Sequence, residues 1–83
     1  MVAYVFFRKE VAIPRLEVLK EEARRQAERC NLKEQEWWWD CRDDDIVFVF
    51  AKGDKGRHAA NIFIFNCKLP CRADWSESFW SDS

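Results

Sequence analysis

The chain contains 83 residues with a formal net charge of −1, and 35% of its residues are charged. The length fits one small domain, and the near-zero charge gives no general attraction to nucleic acid or anionic lipid. Hydrophobic residues make up 48% of the chain and aromatic residues 16%, which excludes both a disordered chain and a membrane-embedded one. Because no stretch resembles a secretory signal, we expect a cytoplasmic protein with reduced cysteines.

The predicted elements begin with a strand over residues 2–7, where every side chain is apolar. A helix is expected over residues 14–30, since apolar side chains recur there every three or four positions and Pro14 suits a first turn. Residues 36–41 contain three consecutive tryptophans and are expected to form a second strand. A strand would direct these indoles alternately to opposite faces of a sheet.

Two strongly apolar runs, residues 46–50 and 62–65, predict a central hairpin. Both runs are β-branched and aromatic throughout, which favours strands over helices. Residues 53–56 contain both glycines and are expected to form the hairpin turn. The fourth strand is expected over residues 60–69, and Pro70 would end it.

The predicted fold is α+β, with two layers in the order β-α-β-β-β. Residues 1–72 would form a single domain in which one helix packs on a four-stranded, mainly antiparallel sheet. Residues 73–83 would form an aromatic tail with a short helical turn. Unbroken apolar strands make both faces of the sheet hydrophobic, and one helix covers only one face. The other face would be covered by the tail, by a second copy in a homodimer or by another protein.

Catalytic and metal-binding patterns are weak. His58 is the only histidine. It could form a catalytic pair with Cys41, Cys67 or Cys71, or act as an acid in the cleavage of RNA. A solvated histidine without a catalytic role is expected more than either. Zinc binding by these cysteines and Cys30 would use an irregular spacing. An acidic run after the tryptophans is more often solvated than bound to magnesium. We therefore predict neither an enzyme nor a cofactor or metal site.

Acidic residues and surplus aromatic residues are the strongest functional signal. The acidic edge comprises Asp40, Asp43, Asp44 and Asp45, and the aromatic candidates are Trp38, Trp75, Phe79 and Trp80. Aromatic residues beside charge are typical of protein interfaces. We expect a small non-catalytic protein-interaction module. Its acidic edge would imitate nucleic-acid phosphates and bind a basic groove of the target protein. In general character only, such a chain resembles the small inhibitors and regulators of phages and mobile elements, anti-CRISPR proteins among them.

A basic cluster supports an alternative function. Its members are Lys52, Lys55, Arg57 and His58, around the predicted hairpin turn. Glycines in the turn would allow close approach to phosphates, and an aromatic sheet could stack bases. A small RNA- or DNA-binding protein is therefore the second expectation. It ranks lower because the net charge is acidic and no RNA-recognition signature is visible.

Overall fold

The computed structural model describes residues 2–76, which form a four-stranded sheet with helices packed against it. In chain order the elements are β1 (Val2–Arg8), α1 (Lys9–Ala12), a 3₁₀ turn (Ile13–Arg15), α2 (Leu16–Arg29), a second 3₁₀ turn (Glu34–Glu36), β2 (Trp37–Arg42), β3 (Asp45–Phe50), α3 (Gly53–Cys67) and β4 (Arg72–Ser76). The strand order is β2-β3-β1-β4, and all neighbouring strands are antiparallel. The predicted α+β class and four-stranded antiparallel sheet are confirmed.

Each of the two longer helices in the described part of the chain connects parallel strands that are separated by one other strand. β1 and β2 lie on either side of β3, and β3 and β4 lie on either side of β1. This β-α-β-β-α-β arrangement is the topology of ferredoxin-like domains. Because a fold does not determine function, the topology alone assigns no activity.

The helix α3 replaces two predicted elements. The hairpin turn over residues 53–56 and the strand over residues 60–69 are wrong, since this segment is helical. An apolar run as short as residues 62–65 fits a strand and one side of a buried helix equally well. Within that run Phe63 is fully buried whereas Phe65 is 75% exposed, as expected when consecutive side chains point around a helix.

Small residues allow α3 to lie close to the sheet. Its buried positions follow helical spacing and are Gly56, Ala59, Ala60 and Phe63. A β-carbon on Gly56 would lie 2.6 Å from the carbonyl oxygen of Phe50, so only glycine fits there. Lys52, which precedes α3, and Gly53, its first residue, have φ angles of 80° and 67°, and this left-handed backbone redirects the chain after β3.

The C-terminal region contributes a strand that the sequence did not predict. Arg72–Ser76 pairs with β1 as β4, so the prediction of a helical turn at Trp75 is wrong. No apolar run marks this strand in the sequence, and it is formed by pairing with a distant segment. The predicted aromatic residues Phe79 and Trp80 lie outside the described residues.

The main core lies between the helices and one face of the sheet, which we call the helix face. Alternate residues of the central strands point into it, namely Ala3, Val5 and Phe7 from β1 and Ile46, Phe48 and Phe50 from β3. The predicted apolar stripe of α2 is confirmed, with Leu19, Ala23 and Ala27 buried in this core. From α3, the ring of Phe63 lies 5.0 Å from that of Phe48, measured between ring centres. The side chains of Glu22 and Asn66 join α2 to α3 through a hydrogen bond of 2.7 Å.

The opposite surface of the sheet, which we call the second face, carries its own apolar cluster. Val2, Val47 and Val49 are buried there, and the partly buried side chains packed against them are Tyr4, Phe6, Trp38 and Ala51. No helix of residues 2–76 contributes to this cluster. The prediction that both faces of the sheet are apolar, and that helix packing covers one of them, is therefore confirmed for the described chain.

Candidate functional site

The strand register arranges the side chains of the second face in rows that run across the sheet. The central row contains Asp40 of β2, Val47 of β3, Phe6 of β1 and Arg72 of β4. It therefore has a carboxylate at one edge of the sheet, an apolar centre and a guanidinium group at the opposite edge.

The rows on either side extend this pattern. Toward the β2–β3 turn the row is Arg42, Asp45 and Arg8, and toward the other end it is Trp38, Val49, Tyr4 and Asp74. In the described part of the chain these three rows hold three aspartates and three arginines, whose formal charges cancel. The second face thus combines an apolar centre with a charged border of no net charge.

Two arginines of this border lie against aromatic rings. The guanidinium carbon of Arg72 is 4.2 Å from the ring centre of Phe6, and that of Arg42 is 6.0 Å from the ring centre of Tyr4. Such cation–π contacts hold a guanidinium group in place while its nitrogen atoms still donate hydrogen bonds. Partial burial raises the pKa of the Tyr4 phenol, and the charge of Arg42 offsets part of the rise, so Tyr4 is neutral at physiological pH.

The predicted acidic residues lie on β2, in the β2–β3 turn and at the start of β3. They are Asp40, Asp43, Asp44 and Asp45, and the first three are exposed. Asp45 is in register with Arg8 and Arg42, so the carboxylates alternate with cations. Among residues 2–76 none of the four aspartates forms an ion pair within 4.0 Å. The acidic residues therefore border the second face as part of a mixed edge.

The predicted aromatic residues are separated by the fold. Trp38 belongs to the second face, beside the acidic residues, while Trp37 and Trp39 pack against the helix-face core, as the predicted alternation requires. Trp75 lies on β4, is 39% exposed, and has the guanidinium carbon of Arg57 at 5.6 Å from its ring centre. Trp38 and Trp75 consequently do not form one binding surface.

The predicted basic cluster lies at the start of α3, on the helix side of the sheet. Its members are Lys52, Lys55, Arg57 and His58, all of them exposed. The amine of Lys52 is 3.5 Å from the carboxylate of Glu36. Lys55 and His58 line a surface depression together with Arg29. Lys55 and His58 therefore share one depression, and all four basic residues lie away from the aromatic side chains of the second face.

That depression, between the end of α2 and the start of α3, also contains a cysteine that the sequence analysis did not connect with His58. Its volume is about 360 Å³, and Cys30, Asn31 and Asp54 line it beside His58. Burial raises the pKa of Cys30, which disfavours the thiolate that a nucleophilic cysteine needs. Within residues 2–76 no hydrogen bond joins Cys30 to His58, so the pair lacks the activation expected of a catalytic dyad.

No three cysteine, histidine or acidic side chains of residues 2–76 lie close enough together to hold a metal ion. All four cysteines are free, and burial, together with the nearby Cys71 and Glu22, raises the pKa of Cys67 to about 12. In the same part of the chain no helix has the length and apolar character that crossing a membrane requires.

Comparisons add no identity to this geometry. No protein-family model, curated protein or solved structure matches the chain. Among the surfaces of residues 2–76, the second face is the one that combines aromatic side chains, held arginines and a charge-balanced border. It is therefore the candidate functional site.

Proposed function

We propose that this chain is a non-catalytic protein-interaction module that acts as an inhibitor or regulator, and that the second face is its interface. The observation that supports the proposal is the group of partly buried aromatic side chains on the second face, Tyr4, Phe6 and Trp38, which pack against the buried valines outside the helix-covered core. Aromatic side chains beside a charged border are typical of protein-interaction sites. A balanced border favours a protein partner over nucleic acid, because phosphate groups attract a surface with net positive charge.

The residue types of the second face also suit protein binding. Arginine, tyrosine and tryptophan dominate the binding energy of many interfaces, and this face contains Arg42, Arg72, Tyr4 and Trp38. Because Arg72 already lies over Phe6, its guanidinium group would lose little conformational freedom on binding. The exposed aspartates of the β2–β3 turn extend this interface and would guide a basic region of the partner toward it.

Charge-reversal variants test this interface. Asp40→Arg and Arg72→Asp alter exposed positions of the second face, whereas Glu17→Arg and Arg15→Asp make the same charge changes on exposed helical positions. The wild type and each variant are used to capture proteins from cell extract, and each captured protein is then purified and titrated. We expect binding to be weakened by the second-face variants and unchanged by the helical controls. Binding that tolerates both second-face variants, or that the controls weaken equally, would refute the proposal.

A small nucleic-acid-binding protein is the second candidate, because Arg57 lies against the exposed ring of Trp75 and Lys55 is exposed on the same helix, α3. Exposed aromatic rings beside cations bind single-stranded nucleic acid through stacking and phosphate contacts. Gel shifts with single-stranded RNA and with duplex DNA at low salt test it. Lys55→Ala and Arg57→Ala would weaken a real shift, and a flat titration with the wild type would exclude this candidate.

A further inference from the structure

We propose that the depression between the end of α2 and the start of α3 binds a small phosphate monoester, which is a phosphate group carried on a small organic molecule. We call this feature the α2–α3 depression. Its volume is about 360 Å³, and the lining residues that matter here are Arg29, Cys30, Asp54, Lys55, His58 and Ile62. It shares no residue with the apolar cluster of the second face, so this inference does not rest on the proposed interface.

Two cations of the depression come from different helices and lack a carboxylate partner. Arg29 is the last residue of α2, and Lys55 lies in the first turn of α3. Among residues 2–76, neither side chain has a carboxylate oxygen within 4.0 Å, whereas six other cations each have one. An anion that enters the depression would therefore become the partner of both charges.

The α3 side of the depression combines polar and apolar groups. Asp54, His58 and Ile62 line it together because they follow one another at intervals of four residues along the helix. The ring of His58 makes no hydrogen bond within the described chain, so it can donate one to a phosphate oxygen. Ile62 and Cys30 are partly buried and form an apolar section of the lining. The lining therefore suits a ligand with both a charged and an apolar part.

The turn after α2 already bonds carbonyl oxygens at the end of that helix. The N–H of Cys30 donates to the carbonyl of Gln26 over 3.1 Å. The N–H of Leu32 donates to the carbonyl of Ala27 over 2.9 Å. Between them Asn31 has a φ angle of 62°, the left-handed conformation that ends many helices. This closure reduces the repulsion that free carbonyl groups at a helix C-terminus would exert on an anion.

Asp54 limits the positive charge of the depression. Its carboxylate lies in the first turn of α3, where the helix dipole stabilises negative charge, so its position is explained without a ligand. Arg29 and Lys55 outweigh it, and the depression keeps a net positive charge even when His58 is neutral. A nucleic-acid strand needs a row of cations for its successive phosphates. A single phosphate group on a small molecule matches this short, mixed set of charges better.

A phosphate monoester also suits the two cations better than a carboxylate does. At about pH 8 it carries almost two negative charges and offers three terminal acceptor oxygens. The guanidinium group of Arg29 can donate to two of these oxygens, while the ammonium group of Lys55 acts as a point charge. The volume of about 360 Å³ lies near the lower end of the range for small-molecule pockets, so the organic group must be small.

Titration of the isotope-labelled chain with phenyl phosphate, followed by NMR at about pH 8 and constant ionic strength, tests the site. We expect saturable shifts of the amide signals of residues 29–31 and 54–58. The dissociation constant should be about 0.1 to 1 mM, because the cations are exposed. Inorganic phosphate lacks the apolar group and benzoate lacks the second charge, so both should bind at least about threefold more weakly. Shifts that do not saturate below about 10 mM, or equal binding of either comparison anion, would overturn the inference.

Four substitutions separate this site from a general effect of charge. Arg29→Gln and Lys55→Gln should each raise the dissociation constant about threefold to fivefold, as for other exposed ion pairs. Asp54→Asn should lower it about twofold, because a repulsive charge is removed. Arg57→Gln is the matched control: it removes a positive charge close to Lys55 in the sequence, but from a side chain that lies against Trp75. A loss with Arg57→Gln as large as that with Lys55→Gln, or weaker binding by Asp54→Asn, would contradict the proposed site.

A nucleic-acid source of the phosphate is tested with a single-stranded oligonucleotide that carries a terminal phosphate. We expect it to bind no more tightly than phenyl phosphate. Tighter binding at residues 29–31 and 54–58 would assign the depression to a nucleic-acid surface and overturn the inference. Asp40→Arg and Arg72→Asp, on the second face, should leave the binding of phenyl phosphate unchanged. This inference and the proposed function can therefore fail independently of each other.

Discussion

Replacement of Gly56 by alanine tests how α3 is positioned on the sheet. In an exposed helix interior this change would stabilise the protein by up to about 1 kcal/mol, because alanine has the higher helix propensity. Here the added β-carbon would lie 2.6 Å from the carbonyl oxygen of Phe50, and closer still to that of Ala51. Both neighbours are backbone atoms, so the helix must move away from β3. We expect a net destabilisation of about 1 to 3 kcal/mol, as for other overpacked sites.

Urea unfolding followed by tryptophan fluorescence measures this change. Asn61→Ala is the matched control, because Asn61 is exposed on the same helix and should alter the free energy of unfolding by less than about 0.5 kcal/mol. The sign of the Gly56→Ala effect is decisive. A more stable variant, or one equal to the wild type, would show that α3 does not approach the backbone of Phe50 and Ala51 as described.

Three further predictions concern the core and its titrating groups. Phe63→Ala should lower the free energy of unfolding by about 3 to 5 kcal/mol, since this ring packs against Phe7, Phe48 and Phe50; a loss below about 1 kcal/mol in urea unfolding would contradict this packing. Partial burial raises the pKa of the Glu22 carboxyl, but hydrogen bonds from Asn66 and Gln26 and the charge of Arg25 outweigh it, so the pKa lies below the usual 4.5. The ionised Glu22 therefore stabilises the folded protein at pH values above 4.5, and this contribution is lost as the pH falls through the lower pKa of the folded state. Glu22→Gln should make the free energy of unfolding depend less on pH in the acid range. An unchanged pH dependence would contradict this role of Glu22. With iodoacetamide at about pH 8, the exposed Cys41 should react first and Cys67 last, because burial raises the pKa of Cys67 to about 12. Peptide mass spectrometry measures the order of modification, and the opposite order would contradict the prediction.

Much of the sheet and one helix could be predicted from periodicity. Alternation placed Trp38 on the face opposite Trp37 and Trp39, and a spacing of three and four residues identified the buried side of α2. The helix α3 could not be recognised in this way, because its apolar run is short and rich in residues that favour strands. The signal that was present is the spacing of Gly56, Ala59, Ala60 and Phe63, which is helical and buries small residues.

The candidate site was harder to predict than the fold. Trp38 and Asp40 are two residues apart, so the sequence alone indicates that they share a face. The row that joins Asp40 to Arg72 depends on the register of four strands from distant parts of the chain. Because the alternation in β4 is short and includes only two apolar residues, Ala73 and Trp75, neither its place at the edge nor the position of Arg72 over Phe6 could be read from the sequence.

Hydroxyl-radical footprinting across a concentration series, and again with any captured partner, measures directly whether the second face is the interface. Phe6 reports on the second face, and Phe65, 75% exposed on α3, is an internal control on the helical surface. We predict that oxidation of Phe6 falls as complexes form while oxidation of Phe65 stays constant. Protection of Phe65 with unchanged oxidation of Phe6 would contradict the account.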